Sequence, residues 1–185
     1  MYRPDAFRND RVDQLHRVMI DYPFCTLVTH GPDGFNANPM TALKAGTSAL
    51  AIFNGPNCYV TPSWYPSKHQ TRKVVPTWNY VAVHAHGTLE FFDDRDALFD
   101  VVTRLTDRHE SRWTAPWKVS DAPVDYIHTM LAGIVGIRLL ISRLEGKWKI
   151  SQNRTPEDRA GVIQGLSHSD DPAASVLCAL MSKDE

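Results

Sequence analysis

Between Asn57 and Tyr80 the chain reads NCYVTPSWYPSKHQTRKVVPTWNY, a stretch denser in aromatics, prolines, hydroxyls and cations than any other part of the sequence. The residue before a proline is pushed toward extended geometry, so the strand-like Cys58 to Thr61 should end at Pro62 and leave Ser63, Trp64 and Tyr65 on a loop. Lys68, Arg72 and Lys73 follow, and Pro76 restarts an extended run through Thr77, Trp78, Asn79 and Tyr80. Hydroxyls with an ammonium hold an anion, and indole and phenol faces pack on a flat ring. The chemistry these residue types offer is therefore recognition of a ligand with a ring and a phosphate: Ser63, Lys68 and Thr77 for the anion, Trp64 and Tyr65 for stacking on or shaping the ring. The alternative is a barrel corner filled by aromatics beside prolines, with solvated cations.

Two other groupings bear weighing. His84 and His86 are two apart on a strand and share a face, with Glu90 further along it, a geometry that can hold a metal. The sequence places no third ligand, and the expectation is no metal, with the pair facing solvent or a second subunit. His109 and Glu110 follow a helix end, where an imidazolium suits the negative dipole. A Ser-His-Asp order, a P-loop and a Gly-x-Gly-x-x-Gly are all missing from the sequence, which leaves hydrolase and nucleotide-kinase readings without support and no catalytic residue to name.

These residues need a scaffold. Val12, Leu15, Val18 and Met19 line one face of a helix over Asp10 to Asp21, ended by Pro23. Phe24 to Thr29 and Phe35 to Met40 form a hairpin around Gly31-Pro32-Asp33-Gly34. Ala49 to Phe53 is a third strand, closed by Asn54-Gly55-Pro56. From Asn79 to Phe92 the residues alternate, with Val81, Val83, Ala85, Leu89 and Phe91 on one face, the mark of an antiparallel sheet buried on one side. Helices follow over Asp94 to Arg108 and from Ser120. Ile134 to Leu144 is a central strand, continued after a Glu145-Gly146 turn by Lys147 to Ser151. Thr155-Pro156-Glu157-Asp158 opens a helix with a hydroxyl cap and acids in its first turn, and Asp171-Pro172 opens the last. Six or so antiparallel strands with peripheral helices make an α+β barrel the fold class.

The 185 residues carry 20 basic and 21 acidic side chains, a net charge of -1. That balance gives no general attraction to nucleic acid or anionic membrane, so DNA as a partner is left open without support from charge. One domain over 1–185 is expected. Cys25, Cys58 and Cys178 are scattered, which predicts reduced thiols rather than a disulfide framework or a zinc site. No apolar leader core opens the sequence and no run approaches the ~18 apolar residues of a membrane span, so a soluble cytoplasmic protein is expected.

The blocks YVTPSWYPSK, VPTWNYVAVHAHG and LEGKWKISQNR, with MYRPDAF, PFCTLVTH, LTDRHE, PWKVSDAP and IVGI, resemble the signature blocks of the PaiB family of FMN-binding negative transcriptional regulators, over nearly the whole chain. The resemblance implies a split β-barrel of the FMN-binding type, paired as a homodimer, with FMN as cofactor. It turns the second polar block, Lys149, Gln152, Asn153 and Arg154, into candidates for the flavin edge, the alternative being a polar cap on the barrel end. It implies a regulator; the second reading is a flavin-dependent oxidoreductase that reduces a small molecule with NAD(P)H. The sequence departs from the family pattern between Asn38-Pro39-Met40 and Ala42, where relatives carry a further loop and strand expected to run beside the flavin, and at Arg138, where an acid is more usual.

Overall fold

The computed structural model describes residues 1–31, 34–36 and 44–183. Its strands are β1 (Arg8–Asn9), β2 (Thr26–Gly31), β3 (Gly34–Asn36), β4 (Ser48–Val60), β5 (Thr77–Phe92) and β6 (Gly136–Lys149). Six α-helices accompany them: α1 (Val12–Asp21), α2 (Ser67–Thr71), α3 (Arg95–Glu110), α4 (Val124–Ala132), α5 (Pro156–Ser167) and α6 (Pro172–Lys183). The strands form one sheet in the order β1-β6-β5-β4-β2-β3, with β1/β6, β2/β3 and β2/β4 antiparallel. This is the α+β class of six antiparallel strands with peripheral helices that the sequence predicts.

By contact, the described residues group into two compact units, one drawn from 1–39, 49–86 and 141–185 and the other from 40–48 and 87–140. The first holds a core of Leu15 and Val18 from α1, Val60, Val81 and Val83 from the sheet, Trp148 near the end of β6 and Ile150 just beyond it. Val162, Leu166, Leu177 and Met181 close it from α5 and α6. In the second, Leu89, Leu98, Val119 and Leu131 are buried, and Asp94 caps α3 by accepting a 2.8 Å hydrogen bond from Ala97 N. There too Arg138 pairs with Glu90 at 3.4 Å and lies over the Phe92 ring, which gives the unusual cation a local partner.

Two turns expected from glycines do not form. β4 runs unbroken through Asn54-Gly55-Pro56. A Cβ on Gly55 would lie 3.0 Å from the Cβ of Val81, so glycine here serves close approach of strands rather than a turn. β2 pairs with β4 only from Ala49 to Ile52, so Pro56 lies beyond that ladder, where a missing N–H costs little. β6 likewise passes straight through Glu145-Gly146. Gly146 pairs with Asn9, and a Cβ there would overlap Leu15, the Asn9 carbonyl and Trp148. The strand that results carries Glu145 into the interior, 7% exposed. The expected second arm of the hairpin, Phe35 to Met40, is described only for Phe35 and Asn36, and the departure near Met40 lies outside the described residues.

A candidate flavin site

The cationic loop after β4 is more ordered than the sequence predicts. Thr61 Oγ1 accepts from Ser63 N at 3.3 Å and opens a 3-10 turn over Pro62–Trp64, with Pro62 in the position that needs no donor. α2 follows at once and ends on Arg72, whose left-handed φ of 55° turns the chain toward β5. The loop is fastened to α5 by a buried carboxylate: Asp158 Oδ1 accepts from Ser67 N at 3.0 Å and Oδ2 from Ser67 Oγ at 2.7 Å. Within the loop, Lys68 Nζ donates to Ser63 Oγ at 3.2 Å, so the predicted ammonium and hydroxyl do meet.

The second cluster forms where β5 and β6 end. Lys149 Nζ donates to Thr77 Oγ1 and, at 2.7 Å, to the carbonyl of Trp78. Just beyond β6, Ser151 adopts φ 67°, an uncommon conformation for a residue with a side chain, and Asn79 Nδ2 donates to its hydroxyl at 3.0 Å in a fully buried pair. That contact anchors the bend carrying the polar block. Gln152 serves its own backbone, accepting from Ile150 N at 2.8 Å and donating to Trp148 O at 2.7 Å. Asn153 is exposed. Arg154 lies over the Tyr65 ring, 4.7 Å from its centroid, and so joins the bend to the loop.

The two aromatics take up different duties from a pair of stacking faces. Tyr65 is fully buried, its hydroxyl without a hydrogen-bond partner, and burial pushes the phenol up while the charge of Arg154 opposes that rise. The Trp64 indole packs on Gly165, and its backbone carbonyl lies against Gly161, four residues earlier on the same face of α5. A surface depression of about 580 Å³ opens beside it, bordered by Ser63, His69 and Gln164. Sequence reasoning missed Asp158, Asn79 and Ser151 as supports; Asp158 was visible only as an acid in a first helical turn.

The electrostatics favour an anion. Burial lowers the Lys149 pKa, and the positive charges of Lys147 and Arg154 lower it further. Among the described residues, none of Lys68, Lys147, Lys149 or Arg154 has a carboxylate within ion-pair distance; Lys147 instead donates to the Tyr2 carbonyl at 3.0 Å. Hydroxyls paired with uncompensated ammonium groups fit a phosphate, and free amide and guanidinium donors fit the acceptors on a flavin's polar edge.

Comparison with known proteins agrees with that chemistry. A family model described as "Putative FMN-binding domain" matches residues 1–43 and 35–143. Its two matched pieces overlap at 35–43. The chain is 28% identical over 205 residues to the Protease synthase and sporulation protein PAI 2 of Bacillus subtilis, covering 98% of this chain and 96% of that one. An uncharacterized protein of Emericella nidulans is 40% identical over 139 residues, 69% of this chain and 55% of the relative. The chain thus spans about half the length of the fungal relatives it matches. Among solved structures, one titled as a "putative 5-nitroimidazole antibiotic resistance protein" from Bacteroides thetaiotaomicron aligns at 11% identity and a TM-score of 0.48, over 76% of this chain and 85% of that one. With its model matched across most of the sequence, the chain belongs to the FMN-binding domain family that includes proteins of the PaiB type.

Proposed function

We propose that the chain binds FMN and acts as a flavin-dependent regulator of the PaiB type. The observation that carries the flavin part is Lys149, set against Thr77 beside Lys147 and Arg154 with no carboxylate among the described residues within ion-pair distance. In this reading Ser63, Lys68, Thr77 and Lys149 hold the phosphate. Gln152, Asn153 and Arg154 meet the polar edge of the ring, and Trp64 and Tyr65 fix the wall behind it. When bound, FMN would supply one- or two-electron redox chemistry; the protein's part is orientation and electrostatics. The regulatory part is supported by the Bacillus relative, which this chain matches along nearly all of both lengths and whose name refers to protease synthesis and sporulation.

The same proposal includes a cytoplasmic homodimer with the flavin sites at the subunit interface. No helix among the described residues is long and apolar enough to cross a membrane. Tyr59 and Trp78 stand edge to face 6.0 Å apart and about half exposed, the mixed aromatic surface that interfaces cover.

Fluorescence titration with FMN and with riboflavin tests the site, and equal affinities would remove the phosphate from the argument. The competing reading, a flavin-dependent oxidoreductase, is separated by anaerobic bleaching of bound flavin with NADH or NADPH beside a DNA mobility shift. Rapid bleaching without a shift favours the enzyme.

A further inference from the structure

Away from the flavin residues, three metal-ligating side chains converge. His84 and His86 project from one face of β5, and β6, unbroken through Gly146, brings Glu145 to the same place. One ring nitrogen of each histidine and a carboxylate oxygen of Glu145 all lie within 4.8 Å of one another. We propose that His84, His86 and Glu145 form a binding site for a divalent transition-metal ion of the zinc type.

Four features carry this. The sequence pattern supplies two imidazoles but no third ligand, and the sheet provides it from a different strand than Glu90, which is paired with Arg138. His84 Nδ1 is buried without a hydrogen-bond partner, an unused donor atom of a kind that folded proteins usually satisfy. His86 Nε2 stands 3.2 Å from Glu145 Oε2, so an ion bound between them replaces a single hydrogen bond. Tetrahedral zinc, with bonds of about 2.0–2.2 Å, sets its donors roughly 3.4 Å apart, a closure that small side-chain rotations achieve.

The surrounding charge narrows the choice of ion. Glu145 also meets the Met1 amine at 2.9 Å, Arg143, and Arg3 at 4.0 Å. A lone carboxylate already shared among cations cannot attract magnesium or calcium, which need many oxygen ligands; two imidazoles suit zinc, copper or nickel. Three protein ligands leave a fourth position open, as catalytic rather than structural zinc sites do. The His86 side chain is 25% exposed, so water or a small ligand can reach that position. This inference is independent of flavin binding.

Calorimetric titration of the tag-free, chelator-treated full chain with Zn(II), and visible absorption on adding Co(II), test it. The expected result is saturable 1:1 binding, weakened at least tenfold by His84→Gln or His86→Gln and also by Glu145→Gln, but unchanged by Glu90→Gln. Glu145 holds the N-terminal segment, so the histidine variants carry the test if Glu145→Gln fails to fold, with far-ultraviolet circular dichroism confirming their structure. Absence of 1:1 binding by the wild type, or equal binding by the folded double-histidine variant, overturns the proposal.

Discussion

The indole of Trp64 lies so close over Gly165 that a methyl group on that glycine would overlap its Cγ, Cδ2 and Cε2 atoms. The contact accounts for a glycine at 165 in a helix interior, where it costs about 1 kcal/mol against alanine, as the close approach of the Trp64 carbonyl does for Gly161. It also means that the loop bearing Ser63 and Lys68 is seated on α5 through Trp64 as well as through Asp158. Gly165→Ala should therefore lower stability by about 1–3 kcal/mol despite its better helix propensity, because a rigid ring has to move. Urea unfolding measures this; a stabilised variant would show that the indole swings away freely.

Asp158 gives a second test of the same seating. Replacing it with Ala removes two hydrogen bonds to a carboxylate, each contributing about 1.5–3 kcal/mol, and leaves Ser67 unpaired. The expected result is a clear loss of stability together with weaker FMN binding, although Asp158 is not among the ligand's proposed contacts. FMN affinity kept at wild-type level in the folded variant would mean that the loop is positioned without this anchor.

Much of the fold was legible because burial follows the period of two. Val81, Val83, Ala85 and Leu89 are buried along β5 as their alternation predicts, while His84, His86 and Glu90 face the other way. The cap at Thr155 was also readable, since a side-chain oxygen three residues before the helical N–H of Asp158 is a local matter. Gly55 and Gly146 misled because a glycine that permits a turn and one that permits close packing look alike until the neighbouring strand is known. The site was legible only in part for the same reason. Lys68 and Ser63 are five apart in sequence, whereas Lys149 and Thr77 are 72 apart and Arg154 and Tyr65 are 89 apart.

For the phosphate, Lys68→Ala and Lys149→Met should each weaken FMN binding roughly ten- to a hundredfold, since a hydrogen bond to a charged group contributes about 1.5–3 kcal/mol. Riboflavin affinity should change much less. Equal losses for both ligands would place the lysines at the ring rather than the phosphate.

Lys149 also has a pH signature. Its folded pKa is depressed from 10.5 by burial and by Lys147 and Arg154, so the folded state disfavours the charged ammonium. The stability linked to this group is therefore lowest at pH below the depressed folded value. It rises as pH climbs toward 10.5 and is complete above it. Subtracting the Lys149→Met profile from wild type isolates that rise from other alkaline titrations. Saturating FMN should shrink it, because a bound phosphate favours the ammonium. A difference profile that is flat without FMN would show that Lys149 is solvated.

Asn79 and Ser151 form the last testable pair. Both are buried, Asn79 Nδ2 donates to Ser151 Oγ at 3.0 Å and approaches Met181 Sδ at 3.9 Å, and Ser151 holds a positive φ at the start of the polar block. Ser151→Ala keeps the strained backbone and strands a buried amide, which costs about 1–3 kcal/mol. Ser151→Gly strands the same amide but relaxes the backbone, so it should cost less. In a double-mutant cycle with Asn79→Ala, the coupling should lie between about 0.5 and 3 kcal/mol. Additive single effects would mean that the bend is held by Gln152 and its own backbone bonds, and that Asn79 supports the strand end alone.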